Sequence, residues 1–528
     1  MFKRKRSAEN NPAFTQGAAQ PAAAVAAAHS RRQARADAEL AARLNEMTRQ
    51  ISAAAPPADD DFDALMAIAR QGKLLRDERD RGHLAWDNEH ARLVLPILSS
   101  EFSSFLTQQF YQFHQRQPRP RSLAAAIGVL DGQARFLPDT TFMHLRRASD
   151  GAAFWLDLAR SEGEAVRIDE NGWAVIAHPP VYFLRNRLQN PLPMPEVFYD
   201  IHALQALLGI PGKDDAVLVL AWLLAAYIPN MPVPMLALLG PQGSGKTTLA
   251  RILRNLIDPH QAELLTMPNE KDLALALEHQ AVLVLDNLSQ LSQQQSNRLC
   301  RAVTGFGYLK TRPRHAGEAE VIGFRRPIIV TALDLPSHAP DWLDRTVAIR
   351  LEARPPEMCA QEMRVMNKFR AQQGKFLGLV LDLLSRALAA QRKLPQMYNF
   401  PRMADYAGIG MALMSVFRQP PERFLQVLAA NAGQLSQDLL NQDPVALALQ
   451  TFMSDKTEWN GSPTDLARQL SQFMSGKVIA SSLSKRLRLL QINFSQFGIH
   501  VSFSRGHQGC LIAVKRVDSV KNDHNIVS

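Results

Sequence analysis

The run Gly240-Pro241-Gln242-Gly243-Ser244-Gly245-Lys246-Thr247-Thr248 has residue types and spacing that prescribe a definite chemistry. It fits G-x-x-x-x-G-K-[ST], with the apolar run 235–239 before it as a strand and 249–257 after it as a helix. Glycines let the backbone curl around phosphates and turn its N–H groups inward, and the helix N-terminus adds a favourable dipole. Lys246 is expected to pair with the β and γ phosphates and Thr247 to hold Mg2+. The cofactors so implied are ATP and Mg2+.

Forty residues beyond Lys246, the apolar run 281–285 ends in Asp286-Asn287. A neighbouring strand ending in an acid offers a carboxylate to a Mg2+-bound water, and Asp286 is the expected metal-site acid. Many ATPases place a glutamate next, to polarise the attacking water. Asn287 stands there instead, and an amide can orient a water but cannot take its proton. Slow hydrolysis, or a carboxylate from elsewhere, is the consequence expected. Residues 326–331 read as another buried strand, ending in Thr331, which either senses the γ-phosphate or caps the strand. Asp341-Trp342-Leu343-Asp344-Arg345 leads into a last strand at 346–351. Arg345 reads either as an arginine finger reaching a neighbouring subunit's nucleotide or as the partner of Asp344 in a surface salt bridge.

Two basic elements accompany this core. Residues 303–324 read as a hairpin whose strand and tip carry Lys310, Arg312, Arg314 and His315. Such a tip could grip a phosphate backbone or be an ordinary charged hairpin. Near the C-terminus a helix at 481–491 carries Lys485, Arg486 and Arg488, followed by β segments at 498–503 and 509–514. Helix, helix, basic helix and hairpin is the layout of a winged helix, a unit that binds DNA but also mediates protein contacts.

The elements that must position these residues alternate over 200–354 as helices and short apolar strands, the pattern of a parallel sheet covered on both faces. The expected fold is α/β, in five stretches: a disordered Ala/Gln/Arg-rich tail over 1–60, a mixed α/β domain over 61–200, the ATPase core over 201–355, a helical lid over 356–440 and a winged-helix-like domain over 441–520. Pro191, Pro193 and Pro195 read as a linker. Residues 102, 105, 106 and 110, with Tyr111, form a helical core stripe, and Asp150-Gly151 and Asn171-Gly172 signal turns between short strands. A chain of 528 residues is too long for a single core.

A net charge of +10 favours nucleic-acid partners without proving them. Three distant cysteines exclude a disulfide framework and a zinc cluster and point to reducing cytosol. The longest apolar run, 216–228, has thirteen residues, too few to span a membrane, and the basic start at 3–6 has no apolar stretch behind it as a secretory signal would.

In order, these pieces resemble the AAA+ core of superfamily 3 helicases, and more closely the primase-helicase-like ATPases of phages, plasmids and integrated mobile elements. The matching stretches are 240–259, 282–291, 299–307, 326–333 and 342–351. Pro401-Arg402-Met403-Ala404-Asp405-Tyr406 is similar to that group's lid motif, which makes Arg402 a second nucleotide sensor, and Gly172-Trp173 with Leu192-Pro193 resembles its pre-ATPase region. The resemblance implies a ring-forming homo-oligomer, a hexamer, that moves on single-stranded or forked DNA with ATP, served by a separate primase or replication initiator. Asn287 in place of the usual second acid and Thr331 in place of the usual Asn depart from it. Two other readings compete: a nucleotide-switched DNA-binding protein or helicase loader that hydrolyses ATP slowly, and a small-molecule kinase, which shares the glycine-rich loop but would carry neither an arginine finger nor a C-terminal winged helix.

Overall fold

Helix Lys213–Tyr227 carries Ala, Val, Leu, Trp and Tyr on every face, and from Leu218 to Tyr227 each residue is buried. A helix apolar all round must lie inside a core, and this one is part of the buried core that also holds a four-stranded parallel sheet. The computed structural model describes residues 60–87, 92–210, 212–311, 319–353, 362–394, 403–474, 479–506 and 509–517. The expected tail over 1–60 lies outside them but for its last residue.

The sheet runs Leu283–Leu288, Ile328–Ala332, Met235–Leu239, Thr346–Arg350, all parallel. Met235–Leu239 and Ile328–Ala332 are buried at every position, as strands covered on both faces must be. Thr331 therefore sits on the strand between the one that leads into the glycine-rich loop and the one that carries Asp286. The hairpin is present as Phe306–Thr311 paired antiparallel with Ala319–Phe324.

Two antiparallel sheets precede this core. One pairs Lys73–Asp77, Gly82–Asp87 and Arg92–Pro96, with Thr140–Thr141 parallel on its edge. The other orders Arg147–Ser149, Phe154–Asp157, Ala165–Asp169 and Gly172–Ile176. Its first turn is held by the Asp150 carboxylate accepting from the N–H groups of Ala152 and Ala153. Contacts divide the chain into two units, one holding 60–70 and 103–129 among the described residues, the other 71–102 and 130–517. In the first, Asp61 accepts from Arg119 Nε at 3.1 Å and its N–H at 2.9 Å, and pairs with Arg116, whose hydrogen bond holds the carboxyl well below its usual range. In helix Ser100–His114 residues 102, 106 and 110 are buried as the stripe predicts, whereas Tyr111 is exposed.

The proline-rich stretch read as a linker is packed in place. Leu192 is buried, its N–H donates to Leu158 O at 2.8 Å, and Glu196 N donates to Gly374 O at 2.9 Å. A Cβ at Gly378 would lie 1.8 Å from Glu196 O, so helix Glu362–Gln391 accepts this segment only through its glycines. Helices Ala404–Val416 and Glu422–Gln442 complete a helical layer. After it come Pro444–Phe452, strand Glu458–Gly461, Pro463–Leu470, Ala480–Gln496, Ile499–Gly506 and Gly509–Arg516, the three strands forming one antiparallel sheet. Strand Glu458–Gly461 was not expected: Trp459 is its one large apolar residue, and pairing with Gly509–Arg516 rather than local pattern creates it.

Candidate nucleotide-binding site

The loop depends on its glycines. Gly240, Gly243 and Gly245 take φ of 141°, 80° and 89°, in the region L-residues avoid. At Gly240 a Cβ would also lie 2.1 Å from Leu351 O, so the loop presses against the backbone just past the last sheet strand. Gly245 caps helix Lys246–Ile257, whose first turn holds Lys246, Thr247 and Thr248. Lys246 Nζ donates to Gly240 O at 2.8 Å and Pro241 O at 2.7 Å. Desolvation lowers its ammonium below the ordinary lysine value against the opposing pull of Asp286.

Asp286 Oδ1 accepts from Thr331 Oγ1 at 2.6 Å and from Thr247 Oγ1 at 3.0 Å, and Thr331 Oγ1 accepts from the Asn287 N–H at 2.8 Å. Three strands or helix starts thus meet at one carboxylate. The strand register slips between Leu285 and Leu288, and Asn287 takes φ of 52°. A bulge re-aims side chains, and here Asp286 is its half-buried residue and Asn287 its exposed one. Carboxylate and hydroxyl oxygens are the donors Mg2+ prefers, so Thr247 and Asp286 fit that ion.

A cavity of about 810 Å3 opens over these groups. From the loop it is lined by Gln242, Gly243, Gly245, Lys246, Thr247 and Thr248, with Asp286, Asn287 and Thr331 opposite. Ser244 is buried behind the loop. Leu207, Leu208 and Val365 supply an apolar wall, and Glu362, paired with Arg251, stands at its edge. No sequence signal marks these wall residues, which come from helices Ile201–Leu208 and Glu362–Gln391.

Other expected residues fare differently. Arg345 turns back onto Asp341, donating to its C=O at 2.9 Å and pairing with its carboxylate, and its side chain is 13% exposed. The i,i+4 spacing across the short helix Pro340–Leu343 makes that partner available, in addition to the finger and the Asp344 pairing that the sequence offered. Lys310 lies in the hairpin opposite Glu320, whereas Arg312, Arg314, His315 and Arg402 lie outside the described residues. Lys485 is exposed and the Arg488 guanidinium lies 4.0 Å from the Phe503 ring centre. Arg486, expected on the same basic face, is half-buried and bonds Asp443, the N-cap of helix Pro444–Phe452. It fastens this unit together instead of pointing outward.

A buried node was missed altogether. Arg146, fully buried, bonds Asp258 at 3.0 Å, Asp157 O at 3.2 Å and Asn190 O at 2.8 Å. Asp258 caps the C-terminal end of helix Lys246–Ile257 and accepts from Ala281 N at 2.7 Å, just before the Asp286 strand. Burial by itself would raise this carboxyl, yet Arg146 and Arg254 hold it below the usual value. The residues are 112 positions apart, so no motif could reveal them.

Among the described residues no helix is long and apolar enough to cross a membrane. No curated protein matches the chain. Among the solved structures that show likeness to it are two whose likeness is loose. The SCCmec type IV Cch, an active helicase, is 11% identical over 85% of this chain and 93% of its own, with a TM-score of 0.48. The apo C-terminal region of NrS-1 is 12% identical over 87% and 99%, with a TM-score of 0.41. Residues 201–437, the stretch holding the loop, the sheet, the hairpin and most of the helical layer, match the family of actinomycete integrative conjugative element replication proteins.

Proposed function

We propose that the chain is an ATP-driven DNA helicase or translocase, with an AAA+ core of the superfamily 3 kind, acting in the cytosol in replication of a mobile element. The observation that carries this reading is the cavity in which Lys246, Thr247, Asp286 and Thr331 converge. The match of 201–437 to a replication family supports its setting, and the hairpin and the helix–strand–helix–helix–strand–strand order of a winged helix at the C-terminus support a DNA partner.

Loop N–H groups would take the phosphates, and Lys246 would leave the carbonyls of Gly240 and Pro241 for the β and γ oxygens. Mg2+ held by Thr247 and Asp286 would neutralise developing charge. Thr331 fixes Asp286, and Asn287 orients the attacking water without accepting its proton. Subunits close into a hexameric ring around single-stranded or forked DNA, Arg402 adds a second nucleotide contact, and a separate primase or initiator completes the system.

Lys246→Ala is expected to abolish ATP hydrolysis, and near-normal turnover in that variant would remove the assignment. ATP-dependent strand displacement on a forked duplex is the expected activity. Asn287 favours one rival, a nucleotide-switched binder, which would show ATP-dependent DNA binding with no displacement.

A further inference from the structure

A second cavity, of about 720 Å3, lies away from the nucleotide loop, between the two antiparallel sheets and the base of the hairpin. Seven arginines line it, at 79, 81, 146, 147, 185, 187 and 326, against four carboxylates, Asp77, Glu78, Glu101 and Glu278. Two of the guanidiniums are matched from behind the lining, Arg146 by Asp258 and Arg185 by Asp157, which leaves a small positive surplus, and the outermost pair is replaceable. Arg187 bonds Glu101 at 2.7 Å with side chains 73% and 39% exposed, a surface pair that contributes little. At the mouth stand Phe142, 68% exposed, with Leu188 and Leu275 also exposed. Apolar side chains left in water beside guanidinium groups suit a ligand with both phosphates and open base faces.

We propose that this cavity holds a segment of single-stranded DNA, its phosphates on Arg187 and Arg81 and a base stacked on Phe142. A duplex hides its base faces, whereas stacking on aromatics and tracking by cations is how single strands are held. The place in the fold agrees. Phe324, the last hairpin residue, is buried between the Arg79 and Arg326 guanidiniums, 6.0 and 5.8 Å from its ring centre, and both arginines line the cavity. Arg79 also bonds Glu278 at 2.9 Å. A strand leaving the hairpin thus meets a basic, aromatic-edged recess at its root. The inference rests on the reading that DNA is the substrate and adds a second contact to it.

The test is fluorescence anisotropy of the full chain with labelled oligothymidylate across a salt series. Phe142→Ala is expected to weaken binding on the order of tenfold, and Arg187→Ala to reduce the log–log salt slope by about 0.7. Both sites are exposed, and a melting scan checks that folding is kept. Oligonucleotide carrying 5-bromodeoxyuridine should photo-crosslink to a peptide containing Phe142. Unchanged affinity and slope in the variants, with no adduct at that peptide, in a chain that still binds DNA overturn the cavity and spare the helicase reading; wild-type protein that ignores the oligonucleotide overturns both.

Discussion

At Gly240 the allowed space is set by a single carbonyl. A methyl group there meets Leu351 O at 2.1 Å in a φ of 141°, so Gly240→Ala must push the loop off the closing strand. Strain of this kind costs about 1–3 kcal/mol before the clash is counted. ATP affinity, read by equilibrium binding, should fall at least tenfold at 1.4 kcal/mol per decade. Thr331 shows the same economy in polar form, because one hydroxyl serves Asp286 and the Asn287 N–H. Thr331→Val leaves both short of a partner, and the melting transition should drop by the equivalent of about 1–3 kcal/mol. That Lys246, Thr247 and Asp286 would lie together was legible because the first two stand where a glycine-rich loop enters a helix and the third ends another apolar run. Arg345 was not, since its choice of Asp341 depends on how a one-turn helix places an i,i+4 neighbour.

Among elements, the C-terminal basic helix divides its charges between a packed and an exposed position. Arg486 holds the N-cap of helix Pro444–Phe452 through Asp443 while Lys485 stays exposed. Arg486→Ala should therefore lower the melting transition by the equivalent of about 1–3 kcal/mol, whereas Lys485→Ala should weaken DNA binding and reduce its salt dependence. For the hairpin, Lys310→Ala with Arg312→Ala should leave hydrolysis no longer stimulated by DNA, measured as turnover with and without oligonucleotide. Element order could be read because helix and strand periods differ in the sequence. Strand Glu458–Gly461 could not, because an edge strand of four residues with a single large apolar side chain has no period to detect.

Across the whole molecule, the fixed point is the buried Arg146–Asp258 pair. Arg146→Leu strands a buried carboxylate, and removing one partner of such a pair costs about 3–5 kcal/mol, visible as a lower melting temperature. Since the Asp258 carboxyl is held below its ordinary value, its contribution is complete above the carboxylate range. It is lost as pH falls through the depressed value, so acidification should erode wild-type stability. Negative-stain imaging with an ATP analogue and oligonucleotide should show six-membered rings. Helix Lys246–Ile257 begins at the nucleotide cavity and ends at the carboxylate gripped by Arg146, which also lines the basic recess. It is a stiff strut of roughly 18 Å with the proposed nucleotide site at one tip and the proposed single-strand recess at the other. If both sites are occupied as proposed, a strand stalled in the recess would press on the far end of the helix whose first turn faces the phosphates, and ATP turnover should slow with it.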